Sequence, residues 1–282
     1  MTKDGQWEKA RFESTLDNLN KEFDCVEKNR IKVFQTLEST NSFLLEKIKR
    51  GEKNHKEAVL ASEQTGGKGR LGRHFVSPKG SGIYFSYVWI PENEVKTPAD
   101  FTVSAAVAVC RAIESVYQKK CMIKWVNDIY VDNHKVCGIL AEGFVNPIKG
   151  NIEGLVVGIG VNIVFDSLSN PELCLAGGVL GQEKADSFFK NGLDLKNEEF
   201  FAQLLWENYK ILEKSENVGA EYRDRSFLTG KMVTVTPLIG DSLNQYKAKV
   251  LGINENNSLI VETLSGESRE LFTGEVSLHQ DF

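Results

Sequence analysis

Between two strand-forming runs, EAVLASEQ (57–64) and GIYFSYVWI (82–90), the chain carries EQTGGKGRLGRHF (63–75), which holds four glycines, one lysine and two arginines. This order, strand then basic glycine loop then strand, restricts the fold more than any other feature. Residues 67–72, GKGRLG, have the G-x-G-x-x-G spacing of a dinucleotide fingerprint. That motif requires a helix to open at the loop, because the helix N-terminal amides receive the pyrophosphate. Here Pro78, Gly80 and Gly82 oppose a helix and the aromatic run that follows favours a strand. A doubly wound dinucleotide-binding sheet is therefore excluded. A Walker A loop fails because no Gly-Lys-Ser/Thr stands at the required spacing, and the catalytic-loop and D-F-G sequences of protein kinases are absent. Two readings remain: a solvated hairpin tip, or an anion-holding loop whose glycines let the backbone close on a ligand while Lys68, Arg70 and Arg73 supply charge.

A basic loop is notable because the chain of 282 residues has a net charge of -5. General nucleic-acid binders carry a high isoelectric point, so that class is not expected. The roughly thirty residues before the first strand are too few for a winged helix-turn-helix, so no DNA binding is expected either. Five cysteines, Cys25, Cys110, Cys121, Cys137 and Cys174, are odd in number and form no C-x-x-C pair, which fits reduced thiols in the cytoplasm. The N-terminus lacks the apolar core of a signal peptide, and no run is long enough to span a bilayer, so no membrane partner is expected.

The remaining chain reads as an α+β protein. IKVFQTL (31–37) is a strand, and a helix opens after the N-cap types Ser39, Thr40 and Asn41 and stops at Gly51. Thr97 as N-cap, Pro98 at the first helical position and Asp100 in the first turn open a long alanine-rich helix. Residues 122–145 read as two strands joined around Asp132, Asn133 and His134, and GLVVGIGVNIVF as a buried strand. A second amphipathic helix presents Phe200, Phe201, Leu204, Leu205, Tyr209 and Leu212. After Gly230, four short runs separated by IGD, NENN and SGE predict a small β-barrel. The division expected is an N-terminal extension (1–30), a catalytic domain (31–228) and the barrel (229–282).

Three further stretches carry polar groups in apolar surroundings. In KWVND, adjacent Asn127 and Asp128 cannot both lie on one face of a strand. In KVCGILAE, Lys135 precedes Gly138, where a lysine at a pocket mouth would neutralise an anion and a solvated one would do nothing. In GIGVN, glycines in an apolar strand mark a close approach, and Asn162 can hydrogen-bond a ligand or simply end a bulge. The histidines, His55, His74, His134 and His279, show no metal-ligand spacing and read as surface residues.

Each signal alone is modest, but their succession is specific. STN, then Q-x-x-G-K-G-R-x-G-R, then the strand GIYFS, then KW-x-ND, K-x-x-GIL-x-E and G-x-G-x-N closely resembles the biotin protein ligases, in their monofunctional class. The resemblance covers about residues 31–282 and implies a mixed-sheet catalytic domain with flanking helices, like that of class II aminoacyl-tRNA synthetases, plus a C-terminal SH3-like barrel. It implies two steps with ATP and Mg²⁺: biotin is activated as biotinyl-AMP, then passed to a lysine ε-amine of a biotin carboxyl carrier protein. A homodimer through a sheet edge is compatible with this reading. The alternatives are a lipoate ligase and a non-catalytic module that binds biotin or an adenylate.

By the same resemblance, Ser39, Thr40, Asn41, Gln64, Gly67, Lys68, Arg70, Trp125, Lys135 and Gly138 form the biotin site. Arg70, Arg73, Asn127, Lys135 and Asn162 contact the nucleotide, Arg70, Lys135 and Asp128 are catalytic, and Asp128 holds the metal. The loop at 65–80 is expected to act as a lid that is mobile without ligand. The chain departs from the family at Lys68, where arginine is usual, at Val126, where proline is common, and at Leu71, where a basic residue is frequent.

Overall fold

The structure is a computed structural model that describes residues 9–92, 97–163, 196–237 and 245–278. Seven strands, β1 (Ile31–Leu37), β2 (Ala58–Gln64), β3 (Gly82–Trp89), β4 (Met122–Lys124), β5 (Asp128–Val131), β6 (His134–Val145) and β7 (Ile152–Asn162), form one mixed sheet. Their spatial order is β1-β2-β3-β7-β6-β5-β4; β1 and β2 run parallel and every other neighbouring pair is antiparallel. Among the described residues five α-helices accompany it: α1 (Lys9–Glu22), α2 (Thr40–Lys49), α3 (Pro98–Tyr117), α4 (Asn197–Glu213) and α5 (Gly219–Asp224).

Strand alternation decides which helices lie on which face. On one face α2 buries Leu44 and Ile48 against Val59, Val88 and Val156. On the other, Leu60, Phe85, Tyr87, Val157 and Ile159 belong to the main core together with α3 and α4. The α3 start matches its sequence signals: Thr97 caps it by accepting a hydrogen bond from the Ala99 amide at 3.1 Å, with Pro98 next. Helix α1 is part of this body, since its Phe12 stacks on Phe201 of α4 at 5.3 Å.

Two sequence expectations change. The 122–145 run is three strands, because the chain turns at residues 125–127 between β4 and β5. The break answers the polar problem in KWVND: no single strand has to bury Lys124, Asn127 and Asp128 on one apolar face. The C-terminal region likewise holds five strands rather than four: β8 (Met232–Thr236), β9 (Tyr246–Ile253), β10 (Leu259–Thr263), β11 (Ser268–Leu271) and β12 (Glu275–Leu278). RELFTGEVSL is interrupted before Gly274, whose φ of 140° is available to glycine. The five form a separate antiparallel sheet, in the order β11-β10-β9-β8-β12.

Four cysteines, Cys25, Cys110, Cys121 and Cys137, are buried free thiols; Cys174 and His279 lie outside the described residues. His55 is half-buried rather than on the surface, edge-on to Trp89 at 4.5 Å and accepting a hydrogen bond from the Ile90 amide. Among the described residues no helix is long and apolar enough to cross a membrane.

Candidate active site

The site lies on the α2 face of the large sheet, beyond the N-terminal end of that helix. There the strands stop presenting side chains. Gly158 pairs with Ser86 and Leu140, and Gly160 pairs with Tyr84 and Gly138, so glycines form much of the floor. A Cβ on Gly158 would stand 2.1 Å from Asn41 Oδ1, and one on Gly160 would stand 2.4 Å from the Phe75 ring. Gly158 and Gly160 of G-x-G-x-N are thus required because the Asn41 and Phe75 side chains lie directly on the strand, whereas Gly138 only meets the edge of the Phe75 ring.

Ser39 is the N-cap of α2 and accepts a hydrogen bond from the Ser42 amide. The next free amide, Thr40 N–H, is taken by Gln64 Oε1 at 2.9 Å, which also accepts from the Thr40 hydroxyl. The helix end and the end of β2 are therefore tied together by side chains that the resemblance assigns to the biotin site. Ser86 Oγ lies 2.7 Å from Thr40 Oγ1 and 2.5 Å from Asn41 Oδ1, and Asn41 Nδ2 donates to Glu142 Oε2 at 2.7 Å. Every one of these groups is partnered, as burial demands.

The basic loop folds over this floor. A short helical turn at Arg70–Gly72 puts Leu71 at φ 57°. Arg70 Nη1 donates to Asn127 Oδ1 at 3.1 Å and its Nη2 to the Gly274 carbonyl at 3.2 Å. Burial pushes the Arg70 pKa below its ordinary value, while Asp128 and Glu275 push the other way. Arg73 pairs with Glu275 of β12. Lys135 pairs with Asp128 at 2.8 Å across the β5–β6 hairpin.

KWVND is held on three sides. The Trp125 indole donates to the Asn257 carbonyl at 3.0 Å, Tyr222 of α5 donates to the Val126 carbonyl at 2.8 Å, and Asn127 exchanges bonds with the backbone of Ile139. Trp125 thus lines the cavity and also anchors the C-terminal sheet. Tyr222 is itself placed by α5, which Arg111 of α3 grips through Glu221 at 2.6 Å.

These groups enclose a cavity of about 170 Å³, lined by five basic side chains, Lys68, Arg70, Arg73, Lys124 and Lys135, against two carboxylates, Asp128 and Glu275. Of the residues singled out in the sequence, all line it except Gly67, which stands behind the wall against the Phe75 carbonyl, Ser77 and Gln64. Sequence reasoning missed Phe75 and Phe85, and it missed Gly274, Glu275, Val276 and Ser277 of the C-terminal sheet. The β12 residues leave no local signal, since only the docking of the second sheet brings them here. Among the described residues no cluster of three or more His, Cys, Asp or Glu could hold a metal. The buried Asn162 Oδ1 at the end of β7 has no hydrogen-bond partner, and it lines the same cavity as Asp128.

Residues 33–162 match the model of the biotin/lipoate A/B protein ligase family. The bifunctional ligase/repressor BirA of Escherichia coli is 27% identical over 251 residues, covering 88% of this chain and 74% of that protein. BirA of Bacillus subtilis is 28% identical, and the chain spans 65% of its length. The biotin--[acetyl-CoA-carboxylase] ligase of Paracoccus denitrificans is 35% identical over 107 residues, covering 37% of this chain and 43% of that protein. In fold, the chain is similar to the Aquifex aeolicus biotin protein ligase solved with biotin and ATP, with a TM-score of 0.68 at 23% identity, covering 89% of this chain and 99% of that one. The match places a domain of the biotin/lipoate A/B protein ligase family at residues 33–162, on the mixed sheet that carries the motifs. The chain is a homologue of the biotin protein ligases.

Proposed function

We propose that the protein is an ATP-dependent ligase that activates biotin as biotinyl-AMP and transfers it to one lysine of a biotin carboxyl carrier protein. The observation that carries this reading is a single cavity that joins a hydrogen-bonded polar set, Ser39, Thr40 and Gln64, to a surplus of cationic side chains over a glycine floor. In the first step a biotin carboxylate oxygen bonds to the α-phosphorus of ATP, and the bond from that phosphorus to pyrophosphate breaks. Two anions must meet, so Arg70, Arg73 and Lys135 offset their repulsion and the charge that grows at phosphorus. In the second step the unprotonated lysine amine of the carrier bonds to the acyl carbon, and AMP leaves with the electron pair.

Asp128 holds Lys135 in place. With the unpartnered Asn162 oxygen it offers the hard oxygen ligands that Mg²⁺ prefers. These two residues would hold the ion, which when bound neutralises phosphate charge. The folded lid would keep water from the anhydride until the carrier arrives. The test is exchange of labelled pyrophosphate into ATP. Exchange is expected with biotin; exchange with lipoate instead would reassign the acid, and none with either would refute the ligase reading.

A further inference from the structure

Ser77 lies outside the glycine motif, and neither the motif nor the cation cluster accounts for it. It is almost fully buried, with 3% of its surface exposed. Its hydroxyl donates to the Phe75 carbonyl at 3.0 Å and accepts from Gln64 Nε2 at 2.8 Å, while its own carbonyl takes the Gln64 amide at 3.0 Å. One small side chain therefore joins the exit of the loop to the side chain at its entrance.

Two independent features of the packing converge on the same point. A Cβ on Gly67 would lie 2.2 Å from the Phe75 carbonyl, 2.9 Å from Ser77 Oγ and 3.2 Å from Gln64 Nε2, which are the three atoms that Ser77 brings together. The first position of the motif is thus glycine because the clasp fills the space. The Phe75 amide also closes on the Gly67 carbonyl at 2.9 Å, and the Phe75 ring lies on Gly138 and Gly160. Fixing the Phe75 backbone consequently fixes the ring that covers the floor.

We infer that Ser77 is a positioning residue that clasps the closed lid, holding Phe75 over the glycine floor and Gln64 in its ligand-reading orientation. The inference rests on the biotin-ligase reading for its ligand, and on the geometry alone for the lid. From Gln64 the chain of hydrogen bonds continues through Thr40 and Ser86 to Asn41. Opening the clasp should therefore loosen the lid and the polar end of the cavity together.

The experiment compares wild type, S77A, G67A and the double variant. Amide hydrogen exchange in the ligand-free protein is read at Gly69 and Phe75, whose amides bond within the loop, together with biotin KM and kcat in pyrophosphate exchange. In S77A, lid exchange should speed about tenfold and biotin KM rise about tenfold, with kcat within about twofold and an unchanged melting temperature. The double variant should match G67A, since two changes that open one clasp do not add. Unchanged lid exchange in S77A, or additive effects in the double variant, would overturn the inference. An equal fall in stability and kcat with unchanged KM would do so too, because it marks a merely structural serine. If wild type shows no biotin-dependent exchange, the ligand reading fails while the lid comparison still decides the clasp.

Discussion

Gly158→Ala tests whether the glycine floor exists to admit Asn41. The added methyl would stand 2.1 Å from Asn41 Oδ1 and 2.9 Å from its Cγ, well inside contact. Asn41 has little room to retreat: it sits in the first turn of α2, its Oδ1 meets Ser86 Oγ at 2.5 Å, and its Nδ2 bonds Glu142 at 2.7 Å and the Leu140 carbonyl at 3.3 Å. Clearing the methyl means giving up at least the Ser86 bond, which leaves a buried amide oxygen unpaired at a cost of about 1–3 kcal/mol. Taking about 2 kcal/mol, biotin affinity should fall roughly 30-fold if the whole cost is felt in the bound geometry. If it is felt in the fold instead, the melting temperature should fall by roughly 4–8 °C. Calorimetric titration with biotin and scanning calorimetry separate the two. Gly138→Ala is the control, because its methyl would meet only the edge of the Phe75 ring at 3.2 Å, so its effect should be several-fold smaller. The reasoning is refuted if Gly158→Ala binds biotin as wild type does and melts at the same temperature.

Arg70→Gly should speed release of biotinyl-AMP by about tenfold or more, as a charge-assisted contact to phosphate is lost; a chase of preformed adenylate measures it, and an unchanged off-rate counts against the lid role. Glu275→Gln should cost less than about 1 kcal/mol in chemical denaturation, since the Arg73 side chain is 45% exposed and such pairs contribute little. Burial alone would raise the Glu57 carboxyl, but hydrogen bonds from Lys32, Lys47 and Asn54 hold it at about 2 against an ordinary 4.5. A depressed carboxyl stabilises the fold above its unfolded value, and that contribution is lost as pH falls from 4.5 towards 2. Glu57→Gln should therefore flatten the acid limb of a urea-midpoint profile. Cys25, pushed up to about 12 by burial, should resist alkylation until the chain unfolds, as peptide mapping of labelled protein would show.

What the sequence disclosed and what it concealed separate by the range of the cause. Thr97, Pro98 and the Ser39 cap act within one turn, and the helices begin where those residues stand. The chemistry of the loop was also local, since its failure as a dinucleotide fingerprint followed from the strand immediately after it. The break in KWVND was half visible: its polar crowding argued against a plain strand, but two of its anchors, Asn257 and Tyr222, lie 132 and 96 residues away. Phe75 carries no local signal, and only the facing glycines of β6 and β7 reveal why it is there. Glu275 lies 202 residues beyond Arg73, and no periodicity or spacing links the two.

The partners of the cationic side chains bear on how an acidic protein holds two anions at once. Unpaired, Arg70, Arg73 and Lys135 would repel one another and resist folding of the loop. Each instead has a partner already: Asn127 and a carbonyl for Arg70, Glu275 for Arg73, Asp128 for Lys135. A substrate anion must therefore displace an existing contact, and its net gain is the difference between the two. Where it replaces a carboxylate, at Arg73 and Lys135, like exchanges for like and the gain is small. At Arg70 a phosphate oxygen would replace a neutral amide and a carbonyl, and a charge-assisted bond is roughly twice as strong as a neutral one. Burial has moreover stripped water from Arg70 without giving it a full counter-charge in direct contact, which is why its pKa lies below the ordinary value. The transition state for adenylation carries the most negative charge and should draw most of its stabilisation from this one guanidinium. Removing Arg70 is then expected to cost more than removing Arg73 or Lys135, although all three carry the same formal charge.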